Sequence, residues 1–329
     1  MIFDFDNLSI NGEDLIKLSV GDYIIWEKKQ HTPTGDTPTV GDDTIYWIDD
    51  EMYTVSIIGT LDKGIIPKEV TKVIIGKTVT DIGYYAFEYN TSLSSVTIPS
   101  SVRSIENGAF FACTELSDVA IPYSVKNIGK NAFVGCKITN ITIPQGVTKI
   151  EEGVFHSCEN LSSVTIPDSV TSIGWMAFDS CTKLTSVTIP NSVVSIGTAA
   201  FRSCTNLTKM IIPDSVTIVG NEAFLGCAEL SSITLSNNLI EFGNNVGAPE
   251  PDEIDRGYTI LDGCFKLTEI TFPKSLQVFN GGFSTNTSIE TLRYNGSKAE
   301  WEELKTANNF TYNGISVIYC TDGEIYNNL

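Results

Sequence analysis

The chain has 329 residues, 42% of them apolar and 19% charged, with 40 acidic against 21 basic side chains and a formal net charge of -19. That is enough apolar material for a long core and too little charge for a disordered chain. The acidic balance argues against nucleic acid or an anionic membrane as a partner, because either selects a basic face.

The first residues, MIFDFDNLSINGEDLIKL, carry acids where a secretory signal carries bases, and no apolar run of signal length follows. No stretch approaches the roughly 18 apolar residues of a membrane span. An export signal and membrane insertion are therefore not expected. Between the turn signals Asn11-Gly12 and Gly21-Asp22, apolar and polar residues alternate, which predicts two or three short strands. Residues 1–29 read as a small β attachment module, too small to fold well without a partner surface. Residues 30–44 are mostly Thr, Pro, Gly and Asp and read as an extended linker.

From about residue 45 to 295 the chain repeats itself. VTIPDSVTSIGWMAFDSC (Val164–Cys181) is preceded by ITIPQGVTKIEEGVFHSC and followed by VTIPNSVVSIGTAAFRSC. A period of about 23 residues means a solenoid, whose coils bury their apolar residues only against one another. Phe87, Phe110, Phe133, Phe155, Phe178, Phe201 and Phe224 hold one position, and Leu261 and Phe283 stand there in two degraded coils. This predicts about nine coils with little helix, a rod about 40 to 45 Å long at the usual strand spacing of about 4.8 Å. In each coil Leu-x-x-Val-Thr-Ile-Pro gives a short parallel strand ended by the proline, which cannot donate to a ladder. Ser-Val-x-x-Ile-Gly gives a second inward edge, and Ala-Phe returns the chain. IYWIDDEMYTVSIIG, before the first coil, is predicted to cap it, since a terminal repeat needs a modified outer face.

Cys113, Cys136, Cys158, Cys181, Cys204 and Cys227 fall once per coil at the same place, with Asn90 and Asn286 there in an early and a late coil. Stacked at one place, they are read as reduced, packed thiols and not as bridges or a metal site. Cys320 lies off this ladder and receives no role.

Pro213 and Pro273 stand 60 residues apart, where two periods would give about 46. The surplus, near 244–257, is acidic and holds two prolines; an insert of this kind becomes a loop, often on a binding face. After Leu292 the period stops. Ser297-Lys298-Ala299-Glu300 opens a short helix with an N-cap and a Glu at the third position, and ISVIYC is a strand. Residues 296–329 read as a C-terminal cap, with Trp301 packing its helix onto the last coil.

Chemistry-bearing motifs are scarce. His31 lies in the linker, and His156 holds a place that other coils fill with Val134, Asp179, Arg202 or Leu225, which reads as an exposed, variable position. No nucleophile elbow, phosphate loop or two-histidine metal motif occurs, so no catalytic residue, metal or cofactor is expected. The candidate binding surface is the outward strand face: Thr97, Thr142, Ser163, Thr165, Ser186, Thr188, Lys209 and Thr234. It is neutral and rich in hydroxyls and could hydrogen-bond a glycan or a protein; the plainer reading is that Thr suits an exposed strand. A second candidate is the insert, where Glu250, Asp252, Glu253 and Asp255 could offer oxygen ligands to calcium, though without the spacing of a calcium loop.

The phrase IPxSVTxIGxxAFxxCxxLxxV, over about residues 65–292, resembles the BspA-like class of leucine-rich repeats, and the ending YNGSKAEWEEL followed by YCTDGEI is similar to that family's closing segment. The resemblance implies a non-enzymatic adhesion protein of a bacterial cell surface. NGEDLIKLSVGDYIIWE resembles short modules at the ends of phage structural proteins. It implies a virion appendage, tail or head, assembled in the host cytoplasm, which is the first reading, with a cell-surface or secreted bacterial adhesin as the alternative. Virion proteins would then be bound through residues 1–29, a host-surface glycan or protein by the rod. A purely structural virion role and homo-oligomerisation through the N-terminal module stay open.

Overall fold

The computed structural model describes residues 44–48, 51–55, 57–244, 246–247, 259–280, 288–308, 315 and 317–326, and four short strands between 9 and 28. It is a parallel β-solenoid of about ten turns, about 23 residues each, with almost no helix. The turn beyond the nine read from the sequence comes from Gly59–Leu61, which already pairs in parallel with Val79–Ile82 ahead of the first Phe coil.

Each coil has three parts. The first is the predicted strand, as in Ser95–Thr97, Asp118–Ala120, Asn140–Thr142, Ser163–Thr165, Lys209–Ile211 and Ser232–Thr234. Neighbours pair in parallel one coil apart, Val96 between Val73 and Val119, so the middle residue is buried and its flanks face out. The second is a two-residue strand, such as Ser104–Ile105 or Ser172–Ile173, whose Ile points inward. The third, the bend that carries Phe, has no regular strand but does have its own ladder. Gly108, Phe110 and Ala112 donate their N–H groups to the carbonyls of Lys130, Ala132 and Val134 in the next coil at 2.9, 2.8 and 2.8 Å, and later coils repeat the pattern.

That bend needs backbone in the left-handed region two residues before and two after the phenylalanine. Gly108 and Gly153 occupy the first place and Gly135 and Gly226 the second, but so do Tyr85 (φ 55°), Met176 (φ 53°), Glu222 (φ 54°), Tyr89 (φ 60°) and Ala112 (φ 56°). A side chain there costs about 1–2 kcal/mol per residue. The glycine after the inward Ile has a different task. A Cβ on Gly220 would sit 2.3 Å from the Thr198 nitrogen, and one on Gly197 2.6 Å from the Gly174 carbonyl carbon, so consecutive coils meet backbone to backbone.

The core is a stack. Phe87 to Phe224 are fully buried, with successive ring centroids 5.0–5.9 Å apart and planes within 2–15° of parallel. Each ring contributes about 1.5–3 kcal/mol by leaving water. Beside it runs the thiol column. Each cysteine from Cys113 to Cys227, and Cys264 after the insert, donates its Sγ–H to the carbonyl of a Phe in the preceding coil at 3.0–3.2 Å. Asn90 does the same work with its amide, on Pro67 O at 3.1 Å. Burial pushes the Cys113, Cys158 and Cys264 thiols up to about 12, which leaves them protonated and inert. Asn286 and Phe283 lie outside the described residues.

Both ends are closed by antiparallel pairing. Thr44–Ile48 and Glu51–Val55 form a hairpin laid antiparallel on Lys72–Ile74, with Tyr46 buried. Tyr23–Lys28 pairs with Glu51–Val55 and Lys17–Val20 with Tyr23–Lys28, so these strands extend the rod's first sheet. At the other end Val317–Cys320 joins Thr291–Tyr294 in parallel, and Gly323–Tyr326 folds back on it. The helix Lys298–Ala307 carries the predicted capping box of Ser297 and Glu300. Its Trp301 is buried against Tyr294 and Phe272, with centroids 5.5 and 6.5 Å away. Cys320 is half-buried against this end of the core.

Candidate functional site: the strand side and the bend side

On the strand side, Thr97, Thr142, Ser163, Thr165, Ser186, Thr188, Lys209 and Thr234 are all exposed. Seven of them border two shallow concavities. Thr142, Ser163 and Thr165 line one of about 240 Å³ with Asn140 and Ala120. Ser186, Thr188, Lys209 and Thr234 line one of about 530 Å³ with Asn191, Ile211, Asp214 and Asn237. Residues 186–188 have no regular strand pairing, which leaves Ser163–Thr165 and Lys209–Ile211 as the edges of separate two-stranded sheets. Thr97 lies apart, nearer the N-terminal end of the rod.

The hydroxyls of this side divide into two sets. Those at the entry to each strand serve the fold: Ser94, Ser162, Thr208 and Ser231 donate to carbonyls one coil back, on Thr71, Thr139, Thr185 and Thr208, at 2.9–3.3 Å. Those of Thr142, Thr165, Thr188 and Thr234 have no protein partner among the described residues. Asp214, in the larger concavity, accepts from the backbone and side-chain N–H groups of Asn237, which hold its carboxyl below the usual range.

The bend side departs from the sequence reading at His156. It is only 32% exposed and belongs to a run of ionisable groups: His156, Asp179 and Arg202 stand at one place in successive coils, and Glu222 joins them from the start of the next bend. His156 Nδ1 lies 3.2 Å from Asp179 Oδ2, Arg202 reaches both Asp179 oxygens at 2.7 and 3.2 Å, and its other nitrogen meets Glu222 Oε2 at 3.1 Å. Asp179 and Glu222 are each 1% exposed. Burial pushes the Asp179 carboxyl up, but the nearby His156 ring and the hydrogen bonds and charge of Arg202 outweigh it, so it is held below its ordinary value. Ser157 Oγ lies 3.3 Å from His156 Nε2, which gives the order of groups of a hydroxyl–imidazole–carboxylate relay, although His156 Nδ1 makes no hydrogen bond to the carboxylate. Two features argue against acyl transfer. Arg202 neutralises the carboxylate, and the Ser157 N–H is spent on Asp179 O at 2.8 Å, so it cannot serve as an oxyanion donor.

The acidic candidates Glu250, Asp252, Glu253 and Asp255, and also His31, lie outside the described residues. The start of the insert is described. Val246 and Thr198 exchange two hydrogen bonds, Val246 N–H to Thr198 Oγ1 at 2.8 Å and Thr198 N–H to Val246 O at 3.0 Å. The insert therefore leaves along the bend, not along the strand face. Among the described residues no cluster of His, Cys, Asp and Glu has metal-holding geometry, and no helix is long and apolar enough to cross a membrane.

The BspA type leucine-rich repeat region matches in six copies over residues 67–162 and 148–247, and the chain belongs to this family. Such proteins are typically found at cell surfaces, act in recognition or adhesion, and are in general binding proteins and not enzymes. Among solved structures, a leucine-rich cell surface protein of Faecalibacterium prausnitzii A2-165 is similar at 25% identity, covering 89% of this chain and 98% of that one, with a TM-score of 0.43. A leucine-rich repeat protein of Bacteroides ovatus gives 22% identity, 90% and 99% coverage and a TM-score of 0.49. The pneumococcal vaccine antigen PcpA gives 18%, 74% and 68%, and 0.44. No curated protein sequence matches.

Proposed function

We propose that the chain is an adhesion protein whose strand side binds a surface ligand, a glycan or a protein, across Thr142, Thr165, Thr188, Lys209 and Thr234. The observation that carries the reading is the split between hydroxyls. The fold uses those at strand entry and leaves the outward ones of Thr142, Thr165, Thr188 and Thr234 without protein partners among the described residues, beside concavities of 240 and 530 Å³. A ligand with its own donors and acceptors gains little from an exposed strand of Val, but much from an ordered row of hydroxyls. The test is binding of the labelled protein to a panel of gut bacterial strains. Saturable binding to some strains, lost when Thr142, Thr165, Thr188 and Thr234 are changed together to Val, is expected; undiminished binding by that variant sinks the reading.

The setting has two candidates. The family points to a bacterial cell surface. The resemblance of residues 11–27 to phage modules points instead to a virion appendage, docked through 1–29, that meets a host. Under the second reading, a chain lacking residues 1–29 fails to enter particles, and normal incorporation rejects it.

A further inference from the structure

The 530 Å³ concavity of the strand side offers more than hydroxyls. It spans three coils, and beyond their strands each contributes one residue at the same place: Asn191, Asp214 and Asn237. Its middle coil interrupts the row in two residues. Lys209 stands where its neighbours carry Ser186 and Ser232, and Ile211, 52% exposed, where they carry Thr188 and Thr234. Asp214 is held still. The Asn237 N–H donates to its Oδ1 at 2.8 Å, and the Asn237 amide nitrogen lies 3.2 Å from each carboxylate oxygen. A carboxylate has about four acceptor sites, so the two nitrogens of Asn237 leave room for further donors. Among the described residues no cation pairs with Asp214 and no acid with Lys209. The concavity therefore holds one unpaired charge of each sign. The 240 Å³ concavity has no charged side chain in its lining and so no such anchor.

Resting on the strand-side reading above, we propose that the larger concavity is a saccharide subsite, specific for a neutral sugar whose adjacent hydroxyls both donate to Asp214 while its C–H face lies on Ile211. Charge selects a neutral ligand. Lys209 repels a cation, and Asp214 together with the net charge of -19 repels an anion. Donor geometry decides against a polypeptide backbone. Successive N–H groups of an extended chain point to opposite edges, so one donor at a time reaches a given site. Hydroxyls on adjacent ring carbons bring two, and paired bonds to an ionised acceptor are the strong ones. An exposed isoleucine among convergent polar groups suits a ring that is apolar on its face and polar at its rim. The volume also falls within the range of about 300–1,000 Å³ usual for small-ligand sites.

The test is affinity electrophoresis of the full chain in gels containing dextran, laminarin, mannan or galactomannan, with polygalacturonate as the acidic comparison. Retardation by at least one neutral polymer, and none by polygalacturonate, is expected. Asp214→Asn, which keeps the volume, and Ile211→Thr, which supplies the residue of both neighbouring coils, should each weaken it tenfold or more at an unchanged melting temperature. Asp168→Asn, at the place of Asp214 two coils earlier and outside the concavity, should be retarded like the parent. The proposal is overturned by a parent that no neutral polymer retards, by an Asp214→Asn variant retarded equally, or by equal retardation in polygalacturonate. Its failure is distinguishable from that of the wider reading. A parent that ignores every polymer yet binds bacterial strains through its threonines keeps the strand side as a site for another ligand, and a parent that binds neither loses both.

Discussion

The strand side and the bend side of this rod are built from the same coils yet obey different rules. On the strand side a parallel ladder fixes the backbone and ignores what points outward, so Thr97, Thr142, Thr165, Thr188 and Thr234 can recur at little cost. On the bend side the ladder runs through left-handed residues and coils in backbone contact, and several outward side chains there either sit on strained backbone or pair with their neighbours. Uniformity belongs to the tolerant side and individuality to the demanding one. Tyr85 and Tyr89, the His156–Asp179–Arg202–Glu222 run and the root of the insert all sit on the bend.

The sharpest way to break this contrast is Asp179→Asn. Asp179 is 1% exposed and bound by Arg202, and removing one member of a buried pair costs about 3–5 kcal/mol. Partial exposure of Arg202 puts the expected loss near the lower figure. The carboxyl is depressed in the fold, so its contribution is whole above the unfolded value of about 4 and drains away as pH falls through the lower folded value. Urea unfolding from pH 7 down to 3 should show the parent losing stability more steeply than the Asn variant. Parallel curves would mean that Asp179 is not the acid-sensitive group.

Gly220→Ala comes next. The added methyl meets backbone of the preceding coil at 2.3 Å, where no rotamer offers relief, and overpacking of this sort costs about 1–3 kcal/mol. A change below about 0.5 kcal/mol in the free energy of urea unfolding would show that the coils can spread, and that their backbone contact is not what fixes the glycine.

The sequence made the period, the Phe stack, the thiol column and the helix readable, because each rests on residue types that recur or on local signals such as Ser297 and Glu300. It hid the left-handed bend. Tyr85, Met176 and Glu222 give no hint of positive φ, and only the glycines at the same place in neighbouring coils could have betrayed it. The ionic run was hidden because His156, Asp179 and Arg202 look like unrelated substitutions until the coils are stacked, when alternating charge at one period becomes a ladder. Nor could periodicity show that Val246 reaches back past an intervening coil to Thr198, since the insert itself breaks the period.

The smallest expected effect separates the two sides most cleanly. Ala112 holds φ 56° in a bend where Gly135 and Gly226 hold the same place, so Ala112→Gly should gain up to about 1 kcal/mol, against the usual penalty for glycine. Thr165→Val, outward on the strand side, should stay within about 0.5 kcal/mol of the parent, as surface changes do. Measured together by urea unfolding, a gain for the first and none for the second would confirm that strain is confined to the bend. A loss on Ala112→Gly would mean that the methyl packs better than the backbone suffers, and that the left-handed bend is not the strained side of the rod.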